Sequence, residues 1–79
     1  MATGFVGAIT TGTMTYTAQT DVKLLLSGSG TGNITVNGIA IAGAATASSV
    51  SATLYVGAGQ TVTLGASGAT LVVSALEAN

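Results

Sequence analysis

The stretch Ile34-Thr35-Val36-Asn37-Gly38-Ile39-Ala40-Ile41 decides the fold class. Asn-Gly is the preferred pair for a two-residue type I′ turn, because both central residues need positive φ and the turn's twist then matches the strands it joins. Val36 is expected to face Ile39 across this hairpin, with Ile34 opposite Ile41, while Thr35 and Ala40 point to the other side. Upstream, Thr13-Met14-Thr15-Tyr16-Thr17 alternates with period two, which puts Met14 and Tyr16 on one face of a strand and three threonines on the other. Downstream, strands are predicted over residues 53–56, 61–64 and 69–76. Gly-rich connections at 57–60 and 65–68 separate them, the rhythm of an antiparallel meander or sandwich.

Between these signals lies Asp21-Val22-Lys23-Leu24-Leu25-Leu26-Ser27, an apolar run of strand length that reads as a strand buried on both faces. Residues 28–33 read as a flexible connection, and residues 43–49 as a loop leading into a strand near Val50. In residues 1–12, Gly4, Gly7 and Gly12 interrupt Phe5, Val6 and Ile9, so the segment is either a flexible N-terminal arm or a first edge strand. Residues 13–79 form a single β domain. The fold class is therefore all-β: a small antiparallel β-sandwich or barrel, jelly-roll-like, of six to eight short strands.

Composition then limits the chemistry. The 79 residues include one Lys, two acidic residues (Asp21 and Glu77), and no His, Cys or Pro, for a formal net charge of −1. Neutralising a nucleic-acid backbone takes several Lys or Arg, so nucleic acid is not an expected partner. No general base, thiol nucleophile or soft metal ligand exists beyond the two isolated carboxylates. The chain is not expected to be an enzyme, and no catalytic, cofactor-binding or metal-binding residue is assigned. Asp21 and Lys23, two apart on one strand face, are expected to form a weak surface pair or to touch a partner.

Hydrophobic residues make up 48% of the chain, but fourteen of them are Ala, and twelve glycines add backbone entropy to be lost on folding. A domain this small usually adds disulfides, a metal or an oligomer interface, and only the last is open to it. Charged residues are 4% of the total, far below the quarter or so of a typical soluble monomer, so the surface suits contact with other protein. No run of about 20 large apolar residues is present to cross a membrane. No basic flank of the kind that begins a secretory signal precedes the first apolar residues.

Three motifs are weaker than they first look. Gly28-Ser29-Gly30-Thr31-Gly32-Asn33 has the glycines of a phosphate-binding loop, but a strand follows it where that mechanism needs a helix N-terminus. Asn33-Ile34-Thr35 matches a glycosylation sequon with no export signal to give it meaning. Thr11, Thr13, Thr15 and Thr17, and again Thr61 and Thr63, recur at every second position. That pattern fits ordinary β-propensity on a solvated face, and also the threonine ladder of an ice-binding protein.

From Asn33-Ile34-Thr35-Val36-Asn37-Gly38, through residues 51–64, to Leu71-Val72-Val73-Ser74-Ala75-Leu76-Glu77, the chain resembles small tailed-phage virion proteins, the capsid cement or decoration proteins and related head appendages. The resemblance covers residues 20–79 and lies in composition and strand pattern. It implies a β-rich homotrimer on the outer capsid surface of the virion, bound to the major capsid protein and strengthening the shell without chemistry. Aromatic side chains dominate such contacts and this chain has three, so Tyr16 and Tyr55 are the expected interface anchors, and Phe5, Val6 and Ile9 the expected arm contacts. The same composition also suits a phage tail, fibre or baseplate component, a Thr-ladder ice-binding protein, or a self-propagating β-fibre built on uncharged edges.

Overall fold

The computed structural model describes residues 4–10, 12–68 and 70–78, without the side chains of residues 44–48. It is all-β, with six antiparallel strands: β1 (Gly4–Thr10), β2 (Gly12–Thr17), β3 (Val22–Val36), β4 (Ile39–Val56), β5 (Thr61–Ser67) and β6 (Val72–Ala78). They make one sheet in the order β1-β6-β3-β5-β2, with β4 on the far edge of β3.

Asn37 (φ 53°) and Gly38 (φ 82°) both take the positive φ that a type I′ turn requires, and Val36 pairs with Ile39 as expected. The next pair differs. Thr35 is opposite Ala40, but Ile34 is opposite Ala42, so Ile41 is an extra residue in the ladder. This bulge frees Ile41 from Ile34: Ile34 is fully buried, whereas Ile41 stays exposed. The turn is also tied to β5, since the Asn37 amide donates to the Thr63 carbonyl (2.8 Å) and the Thr63 amide donates to Asn37 Oδ1 (2.9 Å).

The expected meander does not form. β5 pairs with β2 and β3, and β6 with β1 and β3, so neither lies beside β4 or beside the other. One edge of β3 carries β4 along its length, while the other takes β6 along residues 23–29 and β5 along residues 33–36. The fifteen residues of β3 would reach about 46 Å if straight, at about 3.3 Å per residue. The longest dimension of the molecule is 35 Å, so the hairpin bends. It carries β6 and β1 on one arm and β5 and β2 on the other, and the two arms fold together into a nearly closed, barrel-like sheet.

The bend explains two sequence expectations that fail. Residues 28–33 are the middle of β3 rather than a connection, and residues 43–49 continue β4 rather than loop out. Gly30 pairs with Ser48 and Gly32 with Ala44, leaving three residues of β4 without partners at the corner. The link between β5 and β6 runs close alongside it, antiparallel to residues 30–32. A Cβ on Gly30 (φ 115°) would overlap the Thr70 carbonyl, and one on Gly68 (φ 142°) the Thr31 carbonyl. Likewise Gly65, Ala66 and Ser67 extend β5 instead of turning.

Inside lie Leu24, Leu26, Ile34, Leu64, Leu71 and Val73, all fully buried, and no polar residue is buried among the described residues. β3 is not buried on both faces: Val22, Leu24 and Leu26 point inward, while Leu25 and Ser27 are exposed and Lys23 is partly so. Phe5, Ala8 and Thr10 are exposed in β1 while Ile9 is buried, so the segment pairs with β6 as an edge strand.

Gly30→Ala adds left-handed strain and a backbone clash at the corner, and is expected to cost about 3 kcal/mol in urea unfolding. Gly38→Ala has positive φ but open space around it, and is expected to cost about 1 kcal/mol.

Candidate partner-binding surface

Side chains opposite each other in an antiparallel ladder point to the same face, so the register maps the surface directly. Phe5 of β1 pairs with Leu76 of β6, Leu76 with Leu25 of β3, and Leu25 with Thr53 of β4. All four point outward, giving an exposed apolar row across the arm that carries β6 and β1. Phe5 is 66% exposed and Leu25 and Leu76 just under 40% each. Tyr55, 78% exposed, stands at one end opposite Lys23. Val72 lies at the other end, where it lines a groove of about 370 Å³ together with Ser27, Ser29, Ser49, Ser51 and Ser74. Lys23 and Tyr55 also wall a second groove of about 530 Å³ with Asp21.

The five side chains expected at an interface are therefore divided. Phe5 and Tyr55 are exposed on this face. Ile9 is 4% exposed and belongs to the core, and Val6 packs against it from a bulge between Phe5 and Gly7. Tyr16 is part-buried on the inner face of β2, as alternation predicts, and its hydroxyl donates a hydrogen bond to Glu77 Oε2 on β6. That bond joins the two arms across the seam. Leu25 was hidden in sequence because the run 21–27 reads as buried on both faces, and the strand predicted over 69–76 carries no signal that turns Val72 and Leu76 outward. Only the pairing of β3 with β6 reveals them.

Asp21 does not engage Lys23. Its Oδ1 accepts the Ala58 amide (2.8 Å) and steadies the turn between β4 and β5, where the Gln60 side-chain oxygen also accepts the Gly57 amide (3.0 Å). No group of three acidic, His or Cys side chains is gathered among the described residues to hold a metal. Among the described residues no helix is long and apolar enough to cross a membrane.

The outer face of the other arm is different. Thr15 pairs with Thr63 and Thr17 with Thr61, whose hydroxyls are 2.8 Å apart, and Thr13 and Thr35 flank Gly65 from either side. The two threonine runs, separated by more than forty residues, are thus neighbours in register. Thr11 lies outside the described residues.

No protein-family model matches this chain, and neither curated proteins nor solved structures include one significantly similar to it.

The seam bond has a pH signature. Burial first, then the hydrogen bond and the negative charge of Glu77, push the Tyr16 phenol from its usual 10.0 up to about 12. An acid whose pKa rises on folding stabilises the fold fully below the unfolded value, and that contribution disappears as pH climbs through the folded one. Stability is expected to fall between about pH 10 and about 12 in a Tyr55→Phe variant, where Tyr16 is the only tyrosine. Adding Tyr16→Phe should remove that part of the alkaline loss, read by urea unfolding across the same range.

Proposed function

We propose that this chain is a non-enzymatic structural protein of a virion, a cement or decoration protein that binds the outer capsid shell as a homo-oligomer and stabilises it. The observation that carries this reading is the Phe5–Leu76–Leu25 row with Tyr55 beside it, an exposed apolar strip on a sheet face whose one charged side chain is Lys23, opposite Tyr55. Apolar strips of this kind mark protein contact sites, and aromatic anchors supply most of the energy in them. A sheet face held by backbone ladders does not need to rearrange to bind, so little binding energy is lost to ordering. Several copies on a repetitive shell multiply a modest contact into firm attachment. The resemblance to tailed-phage cement proteins supplies the partner, the major capsid protein.

Phe5→Ala and Tyr55→Ala both remove exposed side chains, so the fold should survive each. In a titration against phage heads stripped of surface proteins, each variant is expected to lower shell occupancy at least tenfold, about 1.4 kcal/mol. Unchanged occupancy in both, or wild-type protein that does not sediment with heads, overturns the reading.

The paired threonines favour a second reading, adsorption to an ice lattice through the opposite arm. Adjacent strands about 4.8 Å apart, with hydroxyls about 6.8 Å apart along each, make a regular two-dimensional array. A thermal-hysteresis measurement decides it: activity lost on Thr15→Leu supports the array, and no hysteresis in the wild type removes it.

A further inference from the structure

Among the described residues β4 has a ladder partner on one side only, because β3 takes its inner edge and no strand reaches the outer one. At eighteen residues it is the longest strand, with no Lys, Arg, Asp, Glu or Pro anywhere in it. The other two edges, β1 and β2, have seven and six residues. An exposed edge is a row of unpaired N–H and C=O groups, and proteins normally guard one this long with charge or proline. This one is unguarded.

We propose that the free edge of β4 over residues 49–55 is a self-association surface, and that its occupant is the same segment of a second copy, added antiparallel about a two-fold axis. A strand paired antiparallel with itself is self-complementary: each unpaired donor of one copy meets an acceptor of the other, and the contact closes after two chains. The side chains suit it. Ser49, Ser51 and Thr53 are exposed on the outer face, small and uncharged, and a register centred on Ala52 or Thr53 sets hydroxyl residues opposite one another. Tyr55 then stands opposite the neighbour's Ser49 or Ser51, on the rim of the serine-walled groove.

Electrostatics set no obstacle. The one cation near the edge is Lys23, set back on β3 opposite Tyr55 and away from the axis. The axis runs through the sheet, so the dimer has one continuous sheet of eight strands, β1-β6-β3-β4 and its mate, with both apolar rows on the same side. The inference does not rest on the capsid reading, and its symmetry is two-fold where the resemblance implies three-fold. A dimer that ignores phage heads leaves it intact and removes only that reading.

Two charge-reversed doubles test it. Ser51→Lys with Thr53→Lys, and Ser51→Glu with Thr53→Glu, put like charges opposite one another in either register, on exposed positions that the fold tolerates. By sedimentation at micromolar concentration the wild type is expected to be a dimer, each double a monomer, and their equimolar mixture a dimer again. A monomeric wild type, a trimer, fibres, doubles that remain associated, or a mixture that fails to recombine overturns the proposal. Hydrogen exchange on the wild type provides a check that needs no variant. Every amide of residues 49–55 should be protected, and free exchange at alternate positions overturns it.

Discussion

The architecture depends on one strand serving two neighbours along a single edge. β3 gives its first half to β6 and its second half to β5 in registers one residue apart, and the corner that β3 and its hairpin mate turn falls between the two. The corner exists because glycine occupies the points where the β5–β6 link runs close alongside the bend, with the Thr70 and Thr31 carbonyls where side chains would otherwise be. Everything else follows: the two arms, the shared core of Leu24, Leu26, Ile34, Leu64, Leu71 and Val73, and the seam joined by Tyr16 and Glu77. Close backbone approach takes the place of the large side chains this chain lacks.

The sequence revealed what is local and concealed what is not. Asn37-Gly38 identifies its own turn because the conformational demand falls on those two residues, and the alternation in β2 places Met14 and Tyr16 inward without reference to any other strand. The bulge at Ile41 is invisible because either register leaves the apolar pattern plausible, and only the burial of Ile34 decides between them. Glycines at 28, 30 and 32 read as a loose connection because glycine marks both flexibility and close approach, and the approaching segment lies some forty residues away. The run 21–27 looked doubly buried because Leu24, Leu25 and Leu26 are alike in composition, although only two of the three point inward.

The candidate surface was legible only in part for the same reason. Scarcity of aromatics was enough to select Phe5 and Tyr55, but it also selected Tyr16, which faces inward and spends its hydroxyl on Glu77. Leu25, Leu76 and Val72 become surface residues only through pairings between β3, β6 and β1, and the threonine runs become one array only through the pairing of β2 with β5. The two outer faces therefore differ in character, one apolar with aromatic ends and one hydroxylated. The molecule has two unlike sides to present.

The pairing of β1 with β6, which brings Gly4 opposite Glu77, has a kinetic consequence. During translation β1 must wait for β6 before its ladder can form, and among the described residues only the Asn37-Gly38 hairpin joins strands adjacent in the chain. A ribosome adding about 5–20 residues per second leaves the earliest apolar side chains uncovered for several seconds. Final closure belongs to the moment after β6 has left the exit tunnel, so a nascent chain stalled before that strand cannot finish the barrel.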